Sequence, residues 1–155
     1  MRKRLLLILP LLCACSRFDG AKLEQAIKSK FESEKVAVRE VKCPADRELK
    51  AGDSFTCEGV SGLGDSFVVK VTQKDDQGNV NWELEGKLFD PVEYSEKALG
   101  HFTNKRKVDC GSERFIAVKG TKMTCTVEGG KSATVDFKED GSLNADGLMA
   151  IIGGN

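Results

Sequence analysis

The chain contains a single histidine, His101, in 155 residues. A Ser/His/Asp or Cys/His nucleophilic site needs an imidazole as its base, and no companion motif surrounds this one. Beside Phe102, it reads as a solvated or half-buried structural residue. No catalytic residue is assigned, and an enzyme is not expected. Zinc spacing is missing too. Cys43, Cys57, Cys110 and Cys125 stand far apart, whereas zinc ligands come in close pairs. No Cys-x-x-Cys marks a redox pair. Asp75-Asp76-Gln77-Gly78-Asn79 lacks the register and distal glutamate of a calcium loop and reads as a turn. Gly62-Leu63-Gly64 and Gly129-Gly130 are loop glycines, because no helix with a phosphate-binding signature follows either. No metal, cofactor or small-molecule substrate is expected. Neither sign of charge dominates, with 24 basic and 24 acidic side chains, so there is no basic footprint for nucleic acid. The apolar run near the N-terminus is about half the roughly 20 residues a spanning helix needs.

That run carries information of its own. Met1-Arg2-Lys3-Arg4 is basic, Leu5 to Leu12 is apolar, and Ala14 is small, the layout of a secretory signal. Cys15 follows directly. Leu12-Cys13-Ala14-Cys15 resembles a bacterial lipobox, with Leu12 at −3, Ala14 at −1 and Cys15 as the new N-terminus. The resemblance implies cleavage before Cys15, diacylglycerol on its thiol through a thioether, and often an acylated amine. Cys13 leaves with the signal. A soluble secreted chain would instead leave Cys15 as an odd thiol. Cleavage removes Arg2, Lys3 and Arg4 and no acidic residue, which takes the formal charge from 0 to −3. Attachment to a bilayer then rests on acyl chains, and two hold far better than one. Ser16 stands where a retention aspartate would, so the outer membrane is favoured if the organism has two membranes.

Downstream, the sequence reads as a tandem duplication. Phe18-Asp19 matches Phe89-Asp90, and Cys43 matches Cys110. Gly52-Asp53-Ser54-Phe55-Thr56-Cys57 matches Gly120-Thr121-Lys122-Met123-Thr124-Cys125, and Gly78 to Trp82 matches Gly141 to Ala145. The expected organisation is a signal at 1–14, a lipidated tether at 15–17, module 1 at 18–86 and module 2 at 87–155. The envelope outside the cytoplasm permits disulfides. Four cysteines allow three pairings, and the repeat selects Cys43–Cys57 and Cys110–Cys125. Each closes a loop of about 15 residues, contributing roughly 3 kcal/mol in the chain-entropy model.

Each module opens with a helix. Asp19 is an N-cap, with Leu23, Ala26, Ile27, Lys30 and Phe31 at helical spacing and Phe18 stapling onto Leu23. Asp90 caps the second, with Pro91 at N1, Glu93 as capping-box partner and Phe89 stapling onto Tyr94. Ala98, Leu99 and Phe102 continue its apolar face, and Lys105-Arg106-Lys107 reads as its solvated end. Strands follow at 36–43, 55–60, 67–71 and 80–84, then at 106–110, 114–118 with 122–128, 132–138 and 142–146. Turns are expected at 75–78 and at Asp140-Gly141. Trp82 shares the inward face with Val80 and Leu84. Leu148 to Ile152 finishes the last strand or covers the sheet, with a partner-binding tail as the alternative. The fold class is thus α+β, each module a helix packed on one face of a roughly four-stranded antiparallel sheet. Glu85 to Phe89 reads as the short linker between modules.

Val41-Lys42-Cys43-Pro44, then Lys50-Ala51-Gly52-Asp53-Ser54-Phe55-Thr56-Cys57, then Gly78-Asn79-Val80 resembles the bacterial envelope domains grouped as domain of unknown function 4333. The second module departs from that pattern, with Gly111 in place of the proline and Met123 in place of the aromatic. The resemblance implies fold and envelope location and brings no activity. At fold level, two helix-plus-sheet modules with one disulfide each also look like β-lactamase-inhibitory protein. The expected function is a cell-envelope lipoprotein, held to the membrane by its N-terminal lipid, with a non-catalytic role in binding or steadying an envelope protein. The alternative is an inhibitor of an envelope enzyme, which should carry clustered aromatic anchors on an outward sheet face.

Overall fold

The computed structural model describes residues 17–99, 107–144 and 146. The side chains of Ala98 and Leu99 lie outside that description. So do Cys13, Cys15, His101, Phe102, Lys105, Arg106 and the segment Leu148 to Ile152.

Helix α1 spans Gly20–Ser33. Asp19 caps it, its Oδ1 accepting from the Lys22 backbone N–H at 3.1 Å. Leu23, Ile27 and Phe31, at helical spacing, are buried as one stripe, and Phe18 is buried ahead of them. Strands β1 (Val38–Lys42), β2 (Ser54–Ser61), β3 (Ser66–Gln73) and β4 (Val80–Glu85) form an antiparallel meander in that order. The alternation Phe55, Cys57 and Gly59, then Phe67, Val69 and Val71, puts one sheet face under α1. Gly59 pairs with Phe67, and a Cβ there would lie 2.2 Å from the ring. The glycine lets the phenyl lie across the strand, against Phe31 at 5.6 Å between centroids. Trp82 is half-buried with Val80 and Leu84 against the same core, as the alternation predicts.

The second half holds another four-stranded antiparallel sheet. Strands β6 (Val108–Asp109), β8 (Lys122–Val127), β9 (Lys131–Phe137) and β10 (Leu143–Asn144) pair in the order β10-β9-β8-β6. Two features depart from expectation. Lys87–Phe89, read as linker, is strand β5, and it pairs with β7 (Phe115–Ala117) as a separate two-stranded sheet. The expected second α-helix is α only over Pro91–Glu93 (α2) and continues as a π-helix over Tyr94–Leu99. There the Ser95 hydroxyl donates to the Pro91 carbonyl at 2.7 Å, a back-bond that competes with the regular helical ladder. Asp90 caps α2 through the N–H groups of Val92 and Glu93. The Glu93 carboxylate accepts from Lys97 one turn on, in place of the expected capping-box bond.

The second core holds Phe115, Ala117, Met123, Cys125, Val127, Val135 and Phe137. Phe89 joins it, 5.4 Å from both Tyr94 and Phe115 and 4.9 Å from Phe137 between centroids. The neighbouring residue on β7, Ile116, is fully buried in the first core. β7 is therefore buried on both faces, Ile116 in the first core and Phe115 and Ala117 in the second. A continuous apolar run, Phe115 to Val118, is the signature of such a strand. The chain thus folds as α+β, mostly strand, with antiparallel sheets throughout.

Candidate functional site

Both disulfides are present: Cys43–Cys57 and Cys110–Cys125, with Cα atoms 4.3 and 4.0 Å apart. Each ties the residue just past one edge strand, β1 or β6, to the neighbouring strand, β2 or β8. Cys57 and Cys125 are fully buried and face the cores, so these cysteines are structural cross-links inside the fold. The Cys43 backbone N–H is taken by the Glu24 carboxylate at 2.8 Å, which pins α1 to that cross-link.

The two halves meet along a polar seam around Arg114, a residue the sequence did not single out. Its backbone bridges Val36 in parallel. Its Nη1 donates to the Glu34 carbonyl at 2.7 Å, and Nε lies 3.4 Å from Asp90 Oδ2. The Glu34 carboxyl is held below its ordinary value, first by Lys30 and then by Arg114. Across the seam, Thr121 is fully buried and its hydroxyl donates to Asp65 at 3.0 Å. Gly86, at φ +119°, lets β5 leave β4 against the Ala117 carbonyl, which a Cβ would approach to 2.7 Å. A cleft of about 540 Å³ opens here, lined by Ser33, Glu34, Asp90, Val92, Glu113 and Arg114. Its carboxylates outnumber its cations, and Arg114 is already committed to two of them.

The outward sheet faces are polar. On the first sheet, Lys42, Glu58, Lys70, Glu83 and Glu85 stand exposed, with Lys70 paired to Glu85 at 2.8 Å. On the second, hydroxyls pair across strands, Thr124 with Thr134 at 3.3 Å and Thr126 with Ser132 at 3.1 Å. Every described aromatic on these two sheets lies on an inward face. The Asp75 loop is the expected turn. Asp75 accepts from the Gln77 and Asn79 backbones and from the Asn79 amide, which lower its pKa, the Asn79 side chain most. Among the described residues, no group of three or more His, Cys, Asp or Glu side chains is placed to hold a metal ion. No described helix is long and apolar enough to cross a membrane.

At the other end of α1, a groove of about 400 Å³ lies between the helix and the start of β4. Leu23, Ala26, Leu49 and Val80 form its apolar wall, and Arg17 and Lys22 stand at its mouth. Arg17 is already part of the fold. It bridges Glu48 through the backbone and Asp46 through its guanidinium at 3.0 Å.

Residues 5–78 match the family model described as Domain of unknown function (DUF4333). A DUF4333 domain therefore occupies the first half of the chain. The match includes the apolar run, Cys15, α1, β1 to β3 and the Cys43–Cys57 pair, and it ends in the turn before β4. No curated protein and no solved structure matches the chain.

Proposed function

We propose that this chain is a bacterial cell-envelope lipoprotein, lipidated on Cys15, whose two duplicated modules bind a protein partner at the membrane surface without catalysis. The observation that carries the location is Leu5-to-Leu12 followed by Ala14-Cys15, with Arg17 two residues on bridged to Glu48. Two residue steps span about 7 Å, so a lipid on Cys15 would hold the α1 end of the first module against the bilayer. A partner embedded in, or resting on, the same membrane suits so short a tether.

Internal correspondence supports the duplication. Arg17 bridges Glu48 as Leu88 pairs with Ile116, each just ahead of an aspartate-capped helical start. Gly52 N–H reaches the Gln73 carbonyl as Gly120 N–H reaches that of Phe137. Lys74 and Lys138 close the two last hairpins through Asn79 and Ser142. Binding is favoured by the sequence itself, in which no companion motif surrounds the single histidine.

The test is Cys15→Ser expressed in a bacterial host with palmitate-analogue labelling. The variant should lose label and accumulate uncleaved precursor, whereas persistent labelling would overturn the lipid assignment. Crosslinking from native membranes should capture a partner that is lost when residues 87–155 are deleted and kept in His101→Ala. Turnover of an envelope substrate that disappears in the His101 variant would refute the non-catalytic reading.

A further inference from the structure

The sheet edges differ in how they are closed. An edge strand exposes unpaired N–H and C=O groups that template another strand, and proteins blunt such edges with bulges or short strands. β1 carries a register shift between Val38 and Glu40, and β6 and β10 are two residues long. β4 has six residues and an unbroken register with β3. The Lys74 N–H donates to the Asn79 carbonyl, and pairing alternates from there. Asn81, Glu83 and Glu85 therefore bond to β3, while the N–H and C=O groups of Val80, Trp82 and Leu84 point outward. Among the described residues these have no partner.

A second feature lies beside this edge. The groove walled by Leu23, Ala26, Leu49 and Val80 lies between α1 and the start of β4, on the inward side. A strand added to β4 would hang its inward side chain over that groove, while its outward side chains would stand beside Asn81 and Glu83. Lys70 is bonded to Glu85 at 2.8 Å, and Glu83, which faces Lys70 across the strands, makes no ion pair of its own among the described residues. The geometry points to strand addition: the β4 edge and the α1 groove dock an extended segment of a partner protein, apolar at alternate positions and basic opposite Glu83. This rests on the protein-binding reading and names the mode and chemistry of the contact. A second copy of this chain fits less well. The inward side chains of its own β4, Val80, Trp82 and Leu84, are already packed on its own core, which leaves the groove empty.

The experiment uses the full chain in detergent and two strand-length peptides, one alternating valine with lysine and one alternating valine with glutamate. Amide hydrogen exchange is followed residue by residue. The lysine peptide should slow exchange at Val80, Trp82 and Leu84 and leave Asn81 and Glu83 unchanged. The glutamate peptide should bind about tenfold more weakly, and Glu83→Lys should reverse that preference. Ala26→Trp, at an exposed helix position in the groove wall, should weaken binding by about tenfold without changing the fold. Absence of slowing at the three edge amides, or a preference unmoved by Glu83→Lys, overturns the proposal. Concentration-dependent protection without peptide would assign the edge to a second copy and overturn it too. Protection in the peptide-free monomer that vanishes on deleting residues 147–155 would assign the edge to the chain's own C-terminal segment and equally overturn the proposal. Neither lipid labelling nor partner capture enters this readout, so its failure leaves those results standing.

Discussion

Replacing Ile116 by alanine should destabilise the first module, although Ile116 lies among the residues of the second. The side chain is fully buried and belongs to the core built on α1 and β1 to β4. Truncating a buried isoleucine to alanine costs about 2–5 kcal/mol, the transfer energy plus the cavity left behind. β7 is held by β5 on one edge and by the Val36 bridge next to it, so collapse into the cavity is restricted. A loss of about 3 kcal/mol, with a urea dependence of about 2 kcal/mol/M, lowers the unfolding midpoint by roughly 1.5 M. The chain offers a local probe. Trp82 is its only tryptophan, and its ring lies 5.9 Å from that of Phe31 in the first core. Urea unfolding read by Trp82 fluorescence, with disulfides intact, therefore reports on the affected module. Ile116→Val should cost about 0.5–1.5 kcal/mol and move the midpoint by a fraction of that. A Trp82 midpoint unchanged in Ile116→Ala would refute the assignment of Ile116 to the first core and, with it, the shared role of β7.

Non-reducing peptide mapping should recover Cys43 with Cys57 and Cys110 with Cys125 as the main species, and a cross-module peptide would contradict the fold. Reduction should destabilise each half by about 3 kcal/mol, read as a lower urea midpoint. Asp90→Ala should cost about 1 kcal/mol by leaving the Val92 and Glu93 N–H groups uncapped, while Asp90→Asn, which keeps the cap, should cost less in the same assay. Stability should fall on both sides of neutrality. Asp19, Glu34, Asp75, Glu139 and Asp140 have folded pKa values below their ordinary ones, so the unfolded chain takes up protons first and stability is lost as pH drops through about 4. Lys42, Lys70 and Lys97 are raised by their glutamate partners and Tyr94 by burial, so stability is lost as pH climbs past about 10. Thermal melts across pH check both limbs, and added salt should weaken the share from Glu34, Glu139, Lys42, Lys70 and Lys97, whose partners are charged, while leaving the shares of Asp75, Asp140 and Tyr94.

Much of the fold was legible because its signals are local or periodic. Caps at Asp19 and Asp90 and the staples onto Leu23 and Tyr94 depend on residues within one helical turn. The inward face of Val80, Trp82 and Leu84 follows from the two-residue period of a strand. The disulfide pairing came from the order of repeated residues, which is a property of the sequence whatever the coordinates. Three things depended on tertiary structure. Lys87–Phe89 lacks alternation and is short, so only its partner β7 makes it a strand. Arg114 is one cation among many in the sequence, and its role arises because folding brings Glu34, from 80 residues away, and Asp90 to the same guanidinium. The third is the unclosed β4 edge. An isolated strand has two equivalent edges, and only the sheet order, with β3 on one side and no described strand on the other, decides which backbone groups remain to be paired.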